Sequence, residues 1–136
     1  MVLSFRRLGR KSRRSDGQAL VEFALLVPLL IIIVLGIVEF GRIWMTMNVL
    51  ASAAREGARV AAVTSPDHTQ VETAVENTLS AANITGATIT TTDPDPDNNE
   101  VTVRVQIDYT VITGSFVPGL NSTMQLSRSV VIHWEG

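Results

Sequence analysis

The chain contains no cysteine, which excludes disulfides and thiolate metal sites and leaves any domain it forms to be held by packing alone. Histidine is nearly absent too. His68 lies near an expected helix start and His133 beside the C-terminus, and both read as solvated surface residues. No serine sits in a nucleophile elbow, and no glycine-rich loop is present to cradle a phosphate. These absences argue against an enzyme, and no cofactor or metal is expected. Proline is missing from Glu39 through Val63, so nothing in that stretch forbids a continuous helix.

What the sequence does have is a polarised charge distribution. Residues 1–17 carry Arg6, Arg7, Arg10, Lys11, Arg13 and Arg14 against Asp16, a net of +5; the remainder carries −7, for −2 overall. That asymmetry suits a chain whose ends face different compartments. From Ala19 to Val38 the sequence reads ALVEFALLVPLLIIIVLGIV, with Glu22 its single charge. A helix of about 20 residues rises roughly 30 Å, the thickness of a bilayer's hydrocarbon core. Arg42 and Trp44 follow and suit the far interface. The basic cluster before the span predicts an N-terminus in the cytoplasm and a C-terminus outside the cell (inner) membrane. Its position favours contact with anionic membrane lipid over nucleic acid. A cleaved secretory signal fits poorly, because its apolar region is shorter and its small-x-small cut follows at once. Here the nearest such triplet is Ala51-Ser52-Ala53, well beyond the run.

Alanine-rich sequence continues to Val63, so the spacing predicts one helix from about Gln18 to Val63, with Pro28 placed to kink it and Gly57 a local weakness. Ser65 and Pro66 suit an N-cap and first helical position, and apolar spacing predicts a second, short helix over 66–82. After Gly86 the period becomes 2. Strands are expected at 87–92, 101–111 and 124–134, the second being the clearest, with loops at DPDPDNN and 114–123. The expected fold class is α+β: a basic leader (1–17), a transmembrane and extended helix (18–63), and a small extracytoplasmic domain (64–136) with one short helix and a three-stranded antiparallel sheet. A domain this small is marginal alone, and packing its sheet on the long helix would help.

Several motifs invite sharper readings. Asp93, Asp95, Asp97 and Glu100 offer hard oxygen ligands, but a calcium loop counted from Asp93 would need glycine at position 98 and glutamate at 104, where Asn98 and Arg104 stand. A hydrophilic turn between strands is preferred. The triplets Asn83-Ile84-Thr85 and Asn121-Ser122-Thr123 fit the glycosylation sequon, a pattern common by chance. Ala54, Ala58 and Ala62 recur every four residues, as do Ala53, Gly57 and Ala61. Small residues at that spacing permit close approach, so Ala54, Gly57, Ala58 and Ala61 are candidate packing positions, against either a partner helix or the protein's own sheet. Glu22 is an ionisable group within a span, which marks a functional site by default.

Glu22 also belongs to a pattern. A basic leader ends at Gly17, an apolar helix begins at once, and Glu22 is the fifth residue after that glycine, followed by Phe23. The stretch resembles the type IV prepilin signal, in which a membrane prepilin peptidase cuts after the glycine. In the Flp branch the glutamate is typically followed by tyrosine; Phe23 keeps the ring and loses the hydroxyl. Together, GQALVEFALLVPLLIIIVLGIVEFGRIW and AAREGARVAA resemble the TadE-like family of tight-adherence (Flp) pilus assembly proteins over residues 17–62. The resemblance implies a minor pilin or pseudopilin acting with other pilins or pseudopilins and the assembly machinery, processed between Gly17 and Gln18. It further implies that Glu22 meets the Gln18 α-amine of a neighbouring subunit, a mechanism that cyclisation of the glutamine would weaken. The alternative is an uncleaved single-pass membrane protein whose external domain is a binding or adhesion module.

Overall fold

The computed structural model describes residues 13–64, 68–112, 114 and 122–134. Helix α1 (Arg13–Val63) is followed by α2 (His68–Ala81) and strands β1 (Thr88–Thr91), β2 (Glu100–Thr110) and β3 (Thr123–His133). The chain has the α+β layout expected of it, with a sheet of order β1-β2-β3, antiparallel throughout. It divides into two compact units, one ending at Leu35 and the other beginning at Gly36. The C-terminal half of α1 therefore belongs to the same unit as the sheet.

α1 begins at Arg13, before the expected Gln18, and runs through Gly17 and Pro28 without interruption. The leader's first 12 residues, the expected cap at Ser65 and Pro66, and most of the 114–123 loop lie outside the described residues. Within the first unit the apolar side chains are exposed, among them Leu20, Phe23, Leu25, Leu29 and Ile33. Among the described residues one helix is long and apolar enough to cross a membrane, and it is this one, with none of its most apolar stretch buried.

The second unit has a core. Leu50, Ala53, Ala54, Ala58 and Ala61 of α1 are buried together with Val71, Val75 and Leu79 of α2, Val101, Val103, Val105 and Tyr109 of β2, and Leu126 of β3. The period-2 alternation of β2 places its valines inward, while Arg104 and Asp108 point out. Gly57 marks a close approach. A Cβ built there would lie 2.5 Å from Val75 Cγ2 and 3.2 Å from Val103 Cγ1, so α1, α2 and β2 meet where a side chain has been given up.

α2 ends in a Schellman motif. Asn83 takes a left-handed φ of 56°, and the Ile84 and Asn83 amides donate to the Leu79 and Ser80 carbonyls at 2.9 Å each. This geometry satisfies two carbonyls that the helix end leaves open. In the turn before β2, Asp95 accepts from the Asp97 amide at 2.9 Å, Asn99 takes a φ of 52°, and its amide donates to the Asp95 carbonyl at 2.8 Å. The acidic segment is thus a self-bonded turn. Trp134 fastens the end of β3: its amide donates to the Asn99 carbonyl at 2.7 Å and its indole to the Thr64 carbonyl at 3.4 Å.

Gly57→Ala puts two effects in opposition. Helix propensity gains about 1 kcal/mol, but overpacking a dense core costs about 1–3 kcal/mol. Val75 is fully buried and stiff about χ1, so it cannot yield easily. Gly57→Ala is expected to lower the denaturation midpoint of the full chain in detergent. In a Val75→Ala background the same change should cost less or become neutral. An equal loss in both backgrounds would contradict the contact.

Candidate functional site

Two glutamates on α1 define two different environments. Glu22 lies one helical turn from Gln18, whose side-chain amide donates to Glu22 Oε1 at 3.2 Å on an exposed surface. Gly17 is exposed, with nothing within 4 Å of a Cβ built on it. Phe23 is exposed beside Leu26, Val27 and Leu30, with which it lines a shallow apolar groove. Gly17, Gln18, Glu22 and Phe23 are thus all exposed at the start of the apolar run, with Gln18 and Glu22 in contact and Phe23 on a different face. Ala54, Gly57, Ala58 and Ala61 fall in the other unit and face the protein's own helix and sheet in its core.

Glu39 is the opposite case. It follows the apolar run directly and is only 6% exposed. Its Oε1 accepts from the Tyr109 hydroxyl at 2.8 Å and its Oε2 from the Ile112 backbone amide at 3.0 Å. Arg42, one turn further, reaches Oε1 at 3.5 Å, and its guanidinium lies 5.4 Å from the centre of the Tyr109 ring. The arginine contact is long for a charge-assisted bond, so the phenol and the amide supply the tighter contacts. Burial, and then donation to a carboxylate, push the Tyr109 hydroxyl above its ordinary pKa; the Glu39 charge adds to the rise and the Arg42 charge opposes it. The Tyr109 and Ile112 contacts hold the end of β2 to the helix, while the Arg42 contact lies within the helix, and the arrangement is a clasp.

Reasoning from sequence alone overlooks this clasp. In sequence Glu39 only opens the proline-free stretch after the apolar run, and Tyr109 is one more position in the expected strand 101–111. The available signals were a carboxylate with an arginine three residues on, and the placement of the chain's single tyrosine in the apolar phase of a strand. Neither reveals a pairing across 70 residues. His68, read as solvated, lies 3.1 Å from Asp93 through its Nε2, a surface contact joining α2 to the acidic turn. Among the described residues no group of three or more histidine, aspartate or glutamate side chains could hold a metal ion.

An exposed apolar helical stretch, in a helix whose later residues supply five of the thirteen buried core residues of a small α+β unit, fits the class of single-pass membrane proteins. Residues 17–59 match the family model described as TadE-like protein, so this chain carries the TadE-like segment. The match covers less than half of the chain. It begins at Gly17, takes in Glu22, Glu39, Arg42 and Gly57, and ends before α2 and the sheet. No curated protein and no solved structure matches.

Glu39→Ala would leave the Tyr109 hydroxyl and the Ile112 amide without their acceptor, at about 1–3 kcal/mol for each buried unsatisfied group. Tyr109→Phe should cost about 1.5–3 kcal/mol, the range for hydrogen bonds to charged groups. The raised Tyr109 pKa also fixes a sign. Its contribution is fully present below the ordinary value of 10.0 and is lost as pH rises through the higher folded value. Denaturant titrations should therefore show stability falling at alkaline pH, with that part of the fall absent in Tyr109→Phe. Identical alkaline profiles in the two proteins would refute the assignment.

Proposed function

We propose that this protein is a minor pilin or pseudopilin that takes part in assembly of tight-adherence pili through contacts of its apolar helix, and that it is not an enzyme. The coarser statement rests on the family match, which supports a role in Tad pilus-related assembly. The observation that carries the finer reading is the exposure of Gly17, Gln18, Glu22 and Phe23 at the start of a membrane-length helix. Gly17 itself carries no side chain, and nothing lies within 4 Å of a Cβ built on it.

Cleavage after Gly17 has two physical consequences. It removes a segment with a net charge of +5, which otherwise holds the chain at the cytoplasmic face. It also frees the α-amine of Gln18. An amine and a carboxylate are each costly in hydrocarbon, and bringing the Gln18 amine of one subunit to Glu22 of another neutralises both. Removing one member of such a buried pair costs about 3–5 kcal/mol, enough to make assembly depend on Glu22. The partners in this reading are membrane lipid, prepilin peptidase, other pilins or pseudopilins and the assembly machinery, with no nucleic acid. An uncleaved membrane protein with an external binding module is the competing reading, and leader removal separates the two.

The test is the N-terminal sequence and intact mass of membrane-extracted protein, made with and without the cognate prepilin peptidase. A peptidase-dependent chain beginning at Gln18 is expected, along with piliation that fails in Glu22→Ala cells that still process the leader. A chain that keeps residues 1–17 beside an active peptidase would overturn the proposal.

A further inference from the structure

From Gly36 to the end the chain carries five arginines, no lysine and eleven aspartates and glutamates. Cations in so acidic a unit have carboxylates to choose from, and Arg42 takes Glu39 while Arg59 takes Glu56. Arg55, Arg104 and Arg128 have no ion pair among the described residues. Two of these three meet in one place. Arg55 of α1 and Arg128 of β3 line the same cleft of about 330 Å³, with Asn48, Ala51 and Ser129 beside them. No acidic side chain lines it among the described residues, and residues 113–121, which precede β3, contain none. Arg128 stands in the core-facing phase of β3, opposite Val105, at the edge of the sheet, and both arginines are exposed. Like charges sharing a cleft repel. Each guanidinium also presents a planar fork of N–H donors that matches a carboxylate.

The chain holds a matching group. Asp93, Asp95, Asp97 and Glu100 are all exposed in the turn before β2. Asp93 faces His68, Asp95 accepts from the Asp97 amide, and Glu100 accepts from the Asn98 side chain. The Asp97 carboxylate has no partner among the described residues. This turn stands well away from the cleft of its own chain. Glu100 pairs with His133, five residues along β3 from Arg128, about 17 Å at the rise of a strand. Trp134 ties the same end to Thr64, nine residues beyond Arg55, about 14 Å at the rise of a helix. The Asn99–Asp95 and Trp134–Asn99 backbone bonds hold the turn there.

We infer that the cleft between Arg55 and Arg128 receives the acidic turn of a second copy of this chain, with Asp97 as the group it binds. Cleft and turn are different patches of one unit, so the contact is heterologous, and each copy offers a free cleft and a free turn to the next. The separation of the two patches staggers the copies by about 14–17 Å along α1, as in an open array rather than a level pair. The inference rests on the unit from Gly36 onward and holds whether or not the leader is removed.

Because the chain has no cysteine, one thiol can be placed at each patch. Full-length protein in detergent micelles, where copies are free to stagger, would be prepared in two differently tagged forms. One carries Ser129→Cys beside the cleft and the other Asn98→Cys at the turn, and the mixture is treated with a short bismaleimide. Mixed dimers are expected to outnumber dimers of either form with itself, and to decline as salt is raised. Arg55→Gln with Arg128→Gln on the first form, or Asp97→Arg on the second, should each cut the mixed yield by about tenfold. Arg55→Glu with Arg128→Glu on the first form should restore the yield with the Asp97→Arg partner. Absence of mixed dimers, or a yield that Asp97→Arg leaves unchanged, would overturn the inference. An excess of dimers between two Ser129→Cys copies would overturn it in favour of level packing. Competition by inorganic phosphate with no effect of Asp97→Arg would overturn it in favour of a phosphate or lipid-headgroup site.

Discussion

The fold depends on a packing constraint on one helix. The C-terminal half of α1 must supply the floor on which a small disulfide-free sheet assembles, and it does so by giving up side-chain volume. Ala53, Ala54, Gly57, Ala58 and Ala61 present almost bare backbone, and the valines of α2 and β2 fill the space above. Branched side chains on the helix would hold the sheet away and leave β2 without a core. The stiff, β-branched valines opposite turn that closeness into a defined register. The volume that a helix of larger residues would have buried comes instead from Val71, Val75, Val101, Val103 and Val105.

The clasp at Glu39 completes the packing at one end, and Trp134 completes it at the other. A buried carboxylate is tolerable when donors satisfy both of its oxygens, and the phenol and an amide do so from the end of β2. Glu22 is held quite differently, on an exposed apolar surface with a side-chain amide beside it. The same residue type therefore serves as an internal fastening in one place and as an accessible charge in the other. Local surroundings, rather than residue identity, separate the structural glutamate from the one proposed to act between subunits.

Much of this was legible in the residues because local signals and tertiary structure agree. The apolar run and the alanine-rich continuation announce α1. The alternation from Val101 to Tyr109 announces β2 and its inward face, and the apolar spacing of Val71, Val75 and Leu79 announces α2. Expected boundaries differ from the observed ones by a few residues at the ends of β1, α2 and α1, where fraying and capping rather than periodicity decide. β3 was harder to read. Its inward positions include Leu126 and Val130, but Arg128 stands on the core side opposite Val105 and remains exposed. An inward-phase charge on an edge strand interrupts the pattern and also discourages pairing with a further strand. The clasp was hidden for another reason: it joins residues 70 positions apart, and no local pattern encodes such a meeting. The small-residue spacing was visible, but its direction was not, since a partner helix and an internal sheet demand the same absence of side chains.

Those two directions carry the central claim, the proposal that the apolar N-terminal half of α1 meets other subunits, while the small-residue face of its C-terminal half is occupied within the chain. A cysteine scan along α1 in piliated cells, read by crosslinking to neighbouring pilins, tests it most directly. Crosslinks are expected at exposed positions such as Leu25, Leu29 and Ile33, and none at Ala54, Ala58 or Ala61. Crosslinks concentrated at Ala54, Ala58 and Ala61, with none along the apolar run, would contradict it.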